Sequence, residues 1–240
     1  MAAFLTFERE CHRLIGEVLA RLNAERLDRY RCLFAGGTRI ALELSEFRES
    51  RDVDFLCSDA PSYADLRVAV RADGYRALFS DPGEGTLVFP REPRADQYGI
   101  RFPVVVHGTM VRVELVREAR IELGEPVRPA WSPIACLSIG DCFTEKLLAN
   151  SDRWADRDTL SRDLIDLAAL CEIHGPIPER SWNAALTAYR EVVRSDLGKA
   201  ARAFLSDATY RDRCFAGLKI APDRSAALLA VIEEKLVAEA

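Results

Sequence analysis

Residues 34 to 59 read FAGGTRIALELSEFRESRDVDFLCSD, and the order of parts in this stretch decides the fold. A short apolar run, Cys32–Ala35, meets the pair Gly36-Gly37 and then Thr38. From Thr38 to Glu46 apolar residues recur at helical spacing, with Ile40, Ala41 and Leu44 on one side. The next segment, DVDFLC at 52–57, alternates polar and apolar at its start, as a half-buried strand does. A strand, a double glycine, a helix and an acidic strand in succession predict an α/β unit.

Each part of the stretch has a chemical use. Two glycines after a strand let the backbone adopt positive φ and approach a ligand closely. A helix N-terminus beyond them offers free N–H groups to a phosphate, and Thr38 adds a hydroxyl. Asp52 and Asp54 stand two apart on one strand, so both side chains point to the same face. Such a pair suits Mg²⁺, which takes hard oxygen ligands and keeps waters and substrate phosphates. In MVRVELV at 110–116, Val111, Val113 and Leu115 share one face and Arg112 and Glu114 the other. Glu114 joins the two aspartates if this strand lies beside theirs. Three carboxylates can hold two ions roughly 3.5–4 Å apart. Each piece alone is weak. A lone D-x-D among 38 acidic residues is commonly surface charge, and a Gly-Gly is commonly a turn.

Working outward, residues 4–28 read as an amphipathic helix carrying Phe4, Leu14, Ile15, Val18, Leu19, Leu22 and Leu27. A helix is expected from Ser62 to Gly74. Between 76 and 128, short β-branched runs at 86–89, 100–106 and 110–116 predict antiparallel strands, with a hairpin at His107-Gly108. Pro126, Pro129 and Pro133 read as a linker. Beyond it, helices are expected at 139–154, 159–174, 178–194 and 226–240. The fold class is therefore α/β (α+β), a mixed sheet flanked by helices and followed by a C-terminal helical bundle. The expected domains are 1–130 and 131–240.

Composition bounds the rest. The chain has 240 residues, 49% of them apolar, and a net charge of −5. No global basic field marks a protein that coats DNA. The seven cysteines form no C-x-x-C pair, so neither a zinc site nor a disulfide framework is expected. No signal-peptide pattern and no long apolar run appear, which predicts a cytoplasmic protein without a membrane partner. Three scattered histidines give no zinc-enzyme pattern. In the helical half, Lys146 stands in DCFTEKLLANSDRW, and Arg162, Asp163 and Asp166 in LSRDLIDLAAL. Read blandly, Lys146 is a solvated charge and Arg162 pairs with Asp166 on the surface.

The pattern GGT-x₂-AL…FRESRDVDF, followed by EKLLA…R…RDLIDL, resembles the AbiEii/AbiGii toxin family of nucleotidyltransferases, within the DNA polymerase β-like superfamily. The resemblance covers residues 31–172. It implies transfer of NMP from an NTP to an acceptor, with pyrophosphate released. Gly36, Gly37 and Thr38 would cradle the triphosphate. Asp52 and Asp54, with Glu114 as the third acid, would hold Mg²⁺ or Mn²⁺. Lys146 would contact the triphosphate, and Arg48 and Ser50 would contact phosphates or support the loop. Asp166, or Asp163, would activate or orient the acceptor. The resemblance further implies tRNA as acceptor and a cognate antitoxin protein as partner. Two competing readings remain open, a small-molecule nucleotidyltransferase of the aminoglycoside type and a catalytically silent nucleotide-binding module.

Overall fold

The computed structural model describes residues 7–80 and 86–239. They form two compact units. One comprises the described residues up to Arg39 together with Ser50–Ser138; the other comprises Ile40–Glu49 and the chain from Ile139 onward.

The first unit opens with helices α1 (Glu10–Arg21) and α2 (Ala24–Arg29). The single helix expected over 4–28 is thus shorter and divided; its positions 4–6 lie outside the described residues. Asn23 makes the break, because its side chain accepts the Arg26 N–H at 3.0 Å and caps a new helix. Strand β1 (Cys32–Ala35) runs straight into α3 (Gly36–Glu43), and β2 (Asp52–Cys57) follows. Helix α4 (Ala60–Asp73) starts before Ser62, since Asp59 caps it by accepting the Ser62 N–H at 2.9 Å. The remaining strands are β3 (Leu87–Val88), β4 (Arg94–Ala95), β5 (Gly99–Val106) and β6 (Thr109–Arg117).

The strands form one mixed sheet in the order β1-β2-β6-β5-β3, with β4 also paired to β5. β2 and β6 are parallel; the other pairs are antiparallel. The β5–β6 hairpin turns at His107 and Gly108, both at positive φ, as a two-residue turn between twisted strands requires. Val53 and Phe55 of β2 and Val111, Val113 and Leu115 of β6 are buried, as are Ile15, Val18 and Leu19 of α1 and Leu66 and Val70 of α4. Each such side chain contributes about 1.5–3 kcal/mol on burial. The alternation leaves Asp52, Asp54, Arg112 and Glu114 on the opposite, open face.

Two local expectations change. The proline-rich stretch is not a loose linker. Phe34 N–H donates to the Ala135 carbonyl and Leu137 N–H to the Phe34 carbonyl, both at 2.9 Å, so this segment lines the outer side of β1. A disulfide also joins Cys32 to Cys57, contrary to the expectation from the cysteine spacing. The two face each other across β1 and β2, with Cα atoms 4.6 Å apart. Sheet register brings them together from 25 residues apart, where no local motif could announce it.

The second unit is helical: α5 (Ile139–Arg153), α6 (Arg162–His174), α7 (Glu179–Tyr189), α8 (Val192–Ser206), α9 (Ala208–Gly217) and α10 (Pro222–Val231), which continues through a π turn to Glu239. Leu160 and Ser161 at positive φ delay α6, and Arg190 at φ 60° splits the helix expected over 178–194. Ile40, Ala41, Leu44 and Phe47 are buried, and Glu49 N–H donates to the Leu218 carbonyl at 2.9 Å, which ties the 40–49 segment to this unit. No helix among the described residues is long and apolar enough to cross a membrane.

Candidate active site

The first unit places Gly36 against Asp54. Asp54 is the register partner of Ala35, the last residue of β1, so the turn into α3 starts directly over its carboxylate. Gly36 has φ 72°, and a Cβ there would lie 2.5 Å from Asp54 Oδ2. Both the backbone conformation and the space demand glycine. Gly37 occupies the first turn of α3, where amide groups lack intrahelical acceptors.

Register then sets out the open face. Asp52 lies opposite Arg112, and Asp54 opposite Glu114. Glu114 lies opposite Arg101 of β5. Arg112 Nε donates to Asp52 Oδ1 at 3.1 Å, and Arg101 Nε donates to Glu114 Oε1. The expected trio of carboxylates therefore shares one region of the sheet, but Asp52 and Glu114 each hold a guanidinium.

Thr38 is fully buried. Its hydroxyl donates to the Asp52 carbonyl at 2.5 Å and lies 2.8 Å from Ser50 Oγ. Ser50 N–H donates to His12 Nε2 at 3.2 Å. Thr38, expected at the triphosphate, and Ser50, expected at phosphates or in support of the loop, thus spend these groups fixing the loop that leads into Asp52. His12 was not among the sequence candidates. Its signal was present: it falls on the buried stripe of α1, three residues before Ile15 and seven before Leu19, where a polar group needs a partner.

The second unit holds a buried charge network. Arg48 grips Asp166 with both arms, Nε to Oδ1 at 2.6 Å and Nη2 to Oδ2 at 2.8 Å. Lys146 Nζ lies 2.8 Å from Asp163 Oδ1 and 2.6 Å from Asp166 Oδ2. Arg153 adds two bonds to Asp163, at 2.6 and 3.0 Å. Asp166 is fully buried, so it does not pair with Arg162 at the surface, and Lys146 is not a solvated charge. Burial works against ionisation of Asp163, but the Lys146 ammonium and the Arg153 guanidinium outweigh it and hold the carboxyl far below the usual range. Burial likewise opposes the Lys146 charge, yet Asp163 and Asp166 raise its pKa above the ordinary value. Arg153 was not among the site residues expected from the sequence, although it stands seven residues from Lys146 on the same helix face.

A family model described as the nucleotidyl transferase AbiEii toxin of a type IV toxin–antitoxin system matches residues 17–226. The chain belongs to the AbiEii nucleotidyltransferase toxin family. JHP933 from Helicobacter pylori is structurally similar, with a TM-score of 0.54 and 15% identity over 98% of this chain and 94% of that one. A candidate nucleotidyltransferase from H. pylori is similar at a TM-score of 0.53 and 13% identity, covering 95% of this chain and 94% of that one. At such identities the likeness is one of fold. No curated protein matches the chain.

The AbiEii family assignment makes divalent-metal chemistry the question to put to the residues. Among the described residues, no three His, Cys, Asp or Glu side chains converge as a ready-made cage. Mg²⁺ does not need one, because it commonly binds through one or two carboxylates plus substrate phosphates. Asp52 and Asp54 supply two on one face, and the missing side chain at Gly36 leaves room for the Asp54 carboxylate against the turn into α3. The donor set fits. In this AbiEii-family chain Glu114 is aligned with Asp54 but turned to Arg101.

Proposed function

We propose that this protein is a Mg²⁺-dependent nucleotidyltransferase that transfers NMP from an NTP to tRNA, as the toxin of a cytoplasmic toxin–antitoxin module with a cognate antitoxin protein. The observation that carries the reading is the fit of Gly36 against Asp54, next to Asp52 on the same strand face. Asp52 and Asp54 are the residues to hold Mg²⁺ or Mn²⁺, with Glu114 as an auxiliary carboxylate. The ion would supply charge neutralisation for the triphosphate and the departing pyrophosphate. Gly36 and Gly37 admit the phosphates to the amide end of α3. Thr38, Ser50 and His12 keep Asp52 in place. Lys146, expected at the triphosphate, has its ammonium held by Asp163 and Asp166 within the second unit. Asp166 and Asp163 hold Lys146, Arg48 and Arg153, and the burial of Asp166 suits a positioning role rather than that of a base meeting the acceptor.

The test is label transfer. The protein is incubated with each α-phosphate-labelled NTP, Mg²⁺ and total tRNA, beside Asp54→Asn. Label on tRNA that is absent with the variant supports the reading. Label on a small molecule or protein instead replaces tRNA as acceptor, and no transfer to any acceptor overturns the enzymatic reading.

A further inference from the structure

On the open face of the first unit's sheet, cross-strand partners project to the same side. One row runs Asp54, Glu114, Arg101 and Arg94 across β2, β6, β5 and β4. The neighbouring row sets Asp52 beside Arg112. Acids and guanidiniums thus meet along a single line, and the pairs that join them are exposed. The Arg112 side chain is 80% accessible and Asp52 35%. Arg101 is 45% accessible and Glu114 39%, with Asp96 a further 3.6 Å from Arg101. Ion pairs this open contribute little to folding, so the fold has small need of them. They engage two of the three carboxylates considered for metal. A carboxylate that takes up a divalent cation gives up much of its hold on a neighbouring guanidinium. A guanidinium freed in this way would be available to a phosphate, whose oxygens its planar fork matches.

We propose that Arg112 and Arg101 are phosphate-binding side chains that exchange Asp52 and Glu114 for substrate phosphates when those carboxylates take up a divalent cation. This rests on the metal-site reading above. The phosphates belong either to the NTP or to a phosphodiester acceptor, and both are anions of the same chemistry. The plain alternative is that these are idle surface pairs.

The experiment compares the full chain with Arg101→Gln/Arg112→Gln and with Asp54→Asn by calorimetry, after circular dichroism has checked that each is folded. Mn²⁺ is titrated alone, then a non-hydrolysable NTP analogue with Mn²⁺, then a short oligonucleotide with Mn²⁺. Removal of the guanidiniums is expected to tighten Mn²⁺ binding about two- to five-fold, since the carboxylates lose their competitors. It is expected to weaken a phosphate ligand about ten-fold or more. Weakening of the NTP analogue assigns the arginines to the triphosphate; weakening of the oligonucleotide alone assigns them to the acceptor. Opposite shifts for metal and phosphate are the signature, because structural damage would weaken both. Mn²⁺ binding lost in Asp54→Asn but not tightened in the arginine variant overturns this inference alone, as does undiminished binding of both phosphate ligands. Mn²⁺ binding that ignores Asp54→Asn overturns the metal site and this inference with it.

Discussion

Gly36 leaves no space between itself and Asp54: a methyl group on its Cα would stand 2.5 Å from the carboxylate oxygen Oδ2 and 2.8 Å from the Asp54 Cβ. Gly36→Ala must therefore displace the aspartate or unwind the start of α3, and at φ 72° it strains the backbone as well. The expected result is a fall in transfer rate of about 100-fold or more, since small misplacements at a reacting centre cost that much. Melting should show a loss of only about 1–2 kcal/mol. Activity near the wild-type level would show that Asp54 does not need its present place.

Asp166 is expected to behave as a structural anion. It neutralises Arg48 and Lys146 with no exposed surface. Asp166→Ala leaves two buried cations short of a partner, which costs about 3–5 kcal/mol. Urea denaturation reads this directly. A variant that kept full stability and lost only turnover would return Asp166 to the role of acceptor base.

Asp163 should make the second unit acid-sensitive. Its folded pKa lies below the unfolded value, so the unfolded chain binds more protons in acid. The stabilisation is complete above about pH 4, the unfolded carboxyl range, and is lost progressively as the pH falls below it. Thermal melts should drop steeply there for the wild type. Asp163→Asn, weaker near neutrality, should lose less over the same interval; parallel curves would refute the assignment.

His12 accepts the Ser50 N–H, and Ser50 in turn neighbours the Thr38 hydroxyl that binds the Asp52 carbonyl. His12→Leu leaves that amide unsatisfied and should cost about 1–3 kcal/mol. His12→Gln retains an acceptor and should recover part of both stability and metal affinity. Equal affinity in the two variants would limit His12 to packing.

The sequence reading reached β1, α3 and β2 because their signals are local: apolar runs, a double glycine and strict alternation. It put Glu114 on the face of Asp52 and Asp54 on condition that its strand lay beside theirs, and the parallel pairing of β2 with β6 meets that condition. What it missed depends on partners distant in sequence. Nothing near Arg190 marks a helix break; neither glycine nor proline stands beside it, yet φ is 60°. Cys32 and Cys57 are joined by register. Arg48 read equally as a phosphate contact or a structural residue, because its charge was visible and its buried partner Asp166 was not.

The grip of Arg48 on Asp166 spans 118 residues of chain. During synthesis at about 5–20 residues per second, Arg48 leaves the ribosome on the order of ten seconds before its counter-ion. Until then the 40–49 segment has no home, since the unit it completes is still being translated. A nascent or prematurely terminated chain would carry the glycine turn and both strand aspartates but lack the charge network of the helical unit. The charge network should thus form late and abruptly, only after α6 has been made.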